Sequence, residues 1–107
     1  MVFEQGDIIY VDFSPTSGHE QSGKRPALVI SSNDYNHITG LVVVCPITSK
    51  IKKFPTHIDL DDRTETNGQI LCEHVRTLDV LARNASKKEE CPDDILLKVL
   101  KIVESIF

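Results

Sequence analysis

The sequence predicts a mainly β protein, a small antiparallel barrel with one helix at its C-terminal end. Short runs of β-branched and aromatic residues recur along the chain, separated by Gly, Pro, Asn, Asp and Ser. A single amphipathic pattern of helical period stands at the end of the chain. Strands and helices do not alternate in the β-α-β manner that builds a parallel sheet. A chain of 107 residues suits one domain, residues 1–107, with one modest core, so a site would lie on a groove or at a subunit interface.

Taken in order, residues 7–13 (D-I-I-Y-V-D-F) and 27–30 read as the first two strands. Between them residues 14–26 (S-P-T-S-G-H-E-Q-S-G-K-R-P) form a polar loop with many reactive or hydrogen-bonding side chains and little to offer a core. Residues 32–40 carry the Asn, Asp and closing Gly of a turn or one helical turn. Residues 41–47 are the most apolar stretch, a buried strand whose end, P-I-T-S, delivers Thr48 and Ser49 to a loop mouth. A basic loop over 50–54 is ended by Pro55. The alternation of 56–60 places Thr56, Ile58 and Leu60 on one face and His57 and Asp59 on the other. Residues 61–68 read as a polar turn, 69–75 as a strand, 80–82 as a continuation of the sheet and 87–90 as a charged link. Pro92 then opens a helix, with Asp93 and Asp94 at the positive end of its dipole. Its apolar stripe combines Ile95, Val99, Ile102 and Ile106 with Leu96, Leu100, Val103 and Phe107.

The first residues lack a signal peptide's basic start and apolar run, and no stretch approaches the ~18 apolar residues of a membrane helix, so a cytoplasmic protein without membrane contact is expected. Cys45, Cys72 and Cys91 are odd in number and widely spaced, which suits reduced thiols better than disulfides or a zinc ribbon. The four histidines, His19, His37, His57 and His74, lack the spacing of a transition-metal site, and no metal or other cofactor is expected. The net charge of -4 argues against a nucleic-acid partner only until its distribution is considered. Residues 1–58 carry five basic and five acidic side chains, and the whole excess of acid lies beyond them. The five basic ones, Lys24, Arg25, Lys50, Lys52 and Lys53, all flank the 14–26 and 50–54 loops, so an acidic protein can present a local positive groove.

Several motifs, in order, resemble the MazF/PemK family of bacterial toxin endoribonucleases. They comprise Gly6, Asp7, Val11-Asp12-Phe13, Pro15, Gly18, Glu20-Gln21, Gly23, Arg25-Pro26, Leu28 to Ser31, Pro46-Ile47-Thr48-Ser49, Val75-Arg76-Thr77-Leu78-Asp79 and Ala82-Arg83. The resemblance spans nearly the whole chain. It implies an SH3-like barrel of the type shared with CcdB-like toxins, usually a homodimer. It further implies a toxin-antitoxin function: metal-independent, sequence-specific cleavage of single-stranded RNA to a 2′,3′-cyclic phosphate and a 5′-hydroxyl. The implied protein partner is an antitoxin, whose C-terminal segment covers the RNA groove.

Such cleavage needs a base for the 2′-hydroxyl proton, an acid for the departing 5′-oxygen and donors for the charged phosphorane. The family's catalytic Arg and Thr fall on Arg25 and Thr48. Arg25 is a planar, permanently charged donor, suited first to the phosphorane and only secondarily to protonating the leaving oxygen. The resemblance leaves His19 and Glu73 as alternatives for the base. The expected RNA contacts are Glu20, Gln21, Lys24, Ser49, Lys50, His74 and Arg76. Of these, His74 stands where the family commonly has Gln, and Arg76 has a competing reading as a structural partner of Asp79. Two other function classes compete: a non-enzymatic toxin of the same superfamily that binds and poisons DNA gyrase, and a barrel that only binds peptide or nucleic acid.

Overall fold

In a computed structural model, which describes residues 2–13 and 24–107, the chain runs β1 (Asp7–Asp12), β2 (Lys24–Val29), α1 (Asn33–Thr39), β3 (Leu41–Thr48), β4 (His57–Asp59), β5 (Gln69–Leu71), β6 (Arg76–Asp79), β7 (Ser86–Glu90) and α2 (Asp93–Ile106). All the pairings are antiparallel, in the order β4-β5-β3-β2-β1-β7, with β6 also on β3. The sheet is not closed: β4 and β7 are its ends, so the predicted mainly β architecture with a C-terminal helix is present as an open sheet.

β3 is the spine. One edge pairs with β2, while the other is divided between β6 (Leu41 to Val44) and β5 (Ile47 and Thr48). Strand alternation sends its side chains to two apolar layers. Cys45 and Ile47 join Ile8, Leu28, Ile70, Cys72 and Cys91 under Ile95 and Val99 of α2. Val42 and Val44 join Phe3, Ile9, Val11, Ala27, Val29, Leu78 and Val80 in the other layer. All three cysteines are free and buried, as small hydrophobes, with Cys45 pushed up to about 12 by burial and by the nearby Cys72 and Glu73.

Several boundaries differ from the sequence reading. β2 starts at Lys24 rather than residue 27, which brings Arg25 into the sheet opposite Val11. Residues 33–39 form a full helix, capped by the Ser32 hydroxyl at its start and by Gly40 in the left-handed region at its end. The strand expected over 69–75 stops at Leu71, where the chain turns. Residues 80–82 belong to a turn, and the strand lies just before them at Arg76–Asp79. The charged link is in fact β7, an edge strand whose Lys and Glu side chains suit an unpaired edge. Along α2 the apolar stripe is covered through Val103, but Ile106 is 46% and Phe107 90% exposed.

Within β7, Glu89 ties down the polar 61–68 segment. Its carboxylate accepts the backbone N–H groups of Glu65 (3.0 Å) and Thr66 (2.8 Å) and the Thr66 hydroxyl (2.7 Å). Burial alone would raise its pKa, but the hydrogen bonds from Thr66 and Glu65 outweigh that and hold it below the ordinary carboxylate value. Arg63 adds a second tie, forking between Asp61 and Asp94 at the start of α2. Because the Glu89 pKa is depressed, its contribution is present above pH 4.5 and lost as pH falls through the depressed value. Replacement of Glu89 by Ala should cost about 2–3 kcal/mol at neutral pH by urea unfolding, and the deficit should shrink in acid.

Candidate active site

Two strands converge on one groove. The β2–β3 ladder pairs Ala27 with Pro46, Leu28 with Cys45 and Val29 with Val44. Continuing that register by two residues sets Arg25 opposite Thr48, and alternation gives both the same face of the sheet. They line one groove of about 480 Å³ together with Tyr10, Pro26, Ile47, Ser49, Lys50, Glu65, Thr66 and Asn67. The floor is therefore strand, and one wall is the segment that Glu89 secures.

Thr48 is doubly fixed. Its hydroxyl oxygen accepts the Lys50 N–H at 3.1 Å, which orients the side chain and leaves the hydroxyl proton free to be donated. Its backbone meets Gly68 so closely that a Cβ there would lie 2.1 Å from the Thr48 carbonyl oxygen. Gly68 also has φ +129°, a conformation that side chains disfavour. Gly68, Tyr10 and the 65–67 wall escaped the sequence reading; the Asn67-Gly68 dipeptide was the available signal for the close turn.

Of the expected site residues, Arg25, Thr48, Ser49 and Lys50 meet in the groove. Lys24 is exposed beside it at the start of β2. His19, Glu20 and Gln21 lie outside the described residues. Glu73 and His74 do not line the groove; β5 ends early, and the turn carries both away from Thr48. Glu73 instead accepts hydrogen bonds from the Thr56 hydroxyl and from His57 Nε2 (2.8 Å), with His74 Nε2 3.6 Å away. Arg76 is also outside the groove, its guanidinium 5.1 Å from the centre of the Phe13 ring, while Asp79 accepts the N–H groups of Leu81 and Ala82.

The His57–Glu73 pair holds the β3–β4 connection. His57 Nδ1 lies 3.2 Å from the Lys52 carbonyl and Nε2 faces Glu73, so both ring nitrogens meet acceptors, an arrangement that favours the protonated ring. Burial works against that charge, but the hydrogen bonds to Glu73 and Lys52 raise the His57 pKa above 6.5. For Glu73 burial would raise the pKa, and the bonds from Thr56 and His57 bring it below 4.5. The His57 contribution is complete below pH 6.5 and lost as pH rises through the raised value; the Glu73 contribution is complete above pH 4.5 and lost as pH falls through the depressed one.

This site sets an arginine and a hydroxyl on adjacent strands beside basic residues, in a groove of a small β-sheet protein. Comparison with known proteins places it more closely. Residues 4–107 match the family of PemK-like, MazF-like toxins of type II toxin-antitoxin systems, and the chain belongs to that family. It is 39% identical to the endoribonuclease toxin MazF of Escherichia coli K12 over 100 residues, covering 92% of this chain and 89% of that protein. Endoribonuclease EndoA of Bacillus subtilis is 36% identical over 104 residues, with 92% and 89% covered. The crystal structure of a MazE-MazF complex (Form-III) from Deinococcus radiodurans superposes with a TM-score of 0.89 at 36% identity, covering 99% of this chain and 96% of that one.

Two outcomes check this geometry. Gly68→Ala should destabilise the fold by roughly 1–3 kcal/mol in urea, through the clash with Thr48 and the strained backbone. The stability difference between wild type and His57→Gln should be larger near pH 6 than near pH 8.5; a difference independent of pH would contradict a charged His57.

Proposed function

We propose that this chain is the toxin of a type II pair and acts as a metal-independent endoribonuclease on single-stranded RNA at a short sequence. The observation that carries the reading is Arg25 beside Thr48 in a single groove. In the reaction the 2′-oxygen attacks the adjacent phosphorus, the bond from phosphorus to the 5′-oxygen breaks, and the products are a 2′,3′-cyclic phosphate and a 5′-hydroxyl. Arg25 holds the phosphorane oxygens through charged N–H donors and presents an N–H to the leaving 5′-oxygen. The Thr48 hydroxyl donates a further hydrogen bond from its fixed rotamer. Removal of the 2′-hydroxyl proton falls to His19, because Glu73 is engaged by Thr56 and His57. An imidazole has the basicity for that task near neutral pH.

Lys24, Ser49 and Lys50 position phosphates, and Glu20 and Gln21 contact bases or ribose. The protein partner is an antitoxin whose C-terminal segment competes with RNA for the same basic surface; the likeness to a MazE-MazF complex supports this. A second copy of the chain completes the toxin, and the exposed Ile106 and Phe107 at the end of α2 offer it apolar surface.

Arg25→Ala and Thr48→Ala should each lower the rate of RNA cleavage about 10²- to 10³-fold while leaving the folded state intact by circular dichroism. Arg25→Lys should recover little, since a point charge cannot reproduce the planar fork. Unaltered cleavage by either Ala variant would remove Arg25 and Thr48 from the mechanism.

A further inference from the structure

Phe54 is a large apolar ring that the core does not use. It is 51% exposed and sits in the 50–55 loop among Lys50, Lys52 and Lys53. A lone exposed apolar side chain is ordinary on a protein surface. Three features set Phe54 apart.

The loop that presents it is pinned at successive backbone groups. The Lys52 N–H donates to Gln69 Oε1 at 3.0 Å, the Lys52 carbonyl faces His57 Nδ1 at 3.2 Å, and the Phe54 carbonyl accepts the His57 N–H at 3.0 Å. The ring is also backed by another. Its centroid lies 5.2 Å from that of His57 with the planes inclined at 44°, and the His57 side chain is only 9% exposed. An aromatic face so held loses little freedom when a ligand stacks on it. Finally, the surrounding charge selects the ligand. The lysines flanking Phe54 are exposed, and Lys50 reaches the groove that holds Arg25 and Thr48. Five residues lie between Thr48 and Phe54, so the Cα atoms of these two stand within about 22 Å of one another.

We propose that Phe54 is a stacking platform for an unpaired base of the single-stranded RNA, next to the cleavage groove, with Lys52 and Lys53 holding the flanking phosphates. A fixed aromatic face bordered by cations suits a base and its phosphodiester together, whereas an acidic peptide would use the lysines and leave the ring idle. His57 positions the ring through its bonds to Lys52 and Glu73. The inference rests on the ribonuclease reading for its substrate class, but the binding it requires can be measured without cleavage.

The chain contains no tryptophan, so Phe54→Trp introduces a single reporter at the platform. The purified full chain carrying that substitution is titrated with 2′-O-methyl oligo(A) and oligo(U) 12-mers, which lack the nucleophilic 2′-hydroxyl, and with polyphosphate and poly-glutamate as base-free polyanions. Saturable quenching by the oligonucleotides and not by the polyanions is expected. In parallel, Phe54→Ala should raise KM for a long single-stranded RNA about 5- to 100-fold with kcat changed less than about twofold, and Phe54→Tyr should restore it. Quenching by the base-free polyanions, or by none of the four, overturns the platform, as does an unchanged KM in Phe54→Ala. Quenching of the Phe54→Trp protein by the oligonucleotides, beside a wild-type protein that cuts no RNA, would leave the platform standing and sink the nuclease reading instead.

Discussion

Everything in this molecule depends on how β3 is paired. Its eight residues pair with β2 on one edge, while the other edge is shared by β6 over its first half and β5 at its end. With both edges hydrogen-bonded and both faces covered, the strand must be apolar nearly throughout, as Leu41 to Cys45 are. The same constraint makes its last residues a rigid platform. Thr48 is the point where the β2 and β5 ladders diverge, and the groove opens there because β2 leaves with β1 while β5 turns back to β4.

The walls of that groove are loops, and they are held by carboxylates acting at long range. Glu89 on β7 binds the 65–66 backbone, and Glu73 holds His57, which in turn holds Lys52. Asp61 and Asp94 are engaged with Arg63. Four of the sixteen acidic side chains are therefore engaged in holding loops and the start of α2. The groove is left with exposed Lys24, Arg25 and Lys50 on its rim. A chain that is acidic in sum thus carries a local cluster of basic side chains beside one groove.

The parts legible in the sequence were those written in local pattern. The apolar run of β3, the stripe of α2 and the pairing of R-P with P-I-T-S needed only periodicity and motif order. β7 was hidden because Ser-Lys-Lys-Glu-Glu lacks every strand preference, and only its place at the sheet edge makes such residues suitable. Glu73 was a candidate for the site through the family resemblance, on a strand expected over 69–75; the turn after Leu71 sends it to His57. Gly68 and Glu89 act through contacts with residues distant in the chain, which no local pattern records.

In the proposed mechanism Arg25 and Thr48 drive attack by the RNA's own 2′-hydroxyl. The most direct measurement is to incubate the wild-type protein with a long single-stranded RNA in EDTA, map the cut sites by primer extension, and determine the chemistry of the new ends. Attack by the 2′-hydroxyl requires discrete cuts that leave a 2′,3′-cyclic phosphate and a 5′-hydroxyl, abolished by a 2′-deoxy substitution at the scissile nucleotide. Ends bearing a 5′-phosphate, or cleavage that survives the 2′-deoxy substitution, would show that water rather than the ribose is the nucleophile and would contradict it.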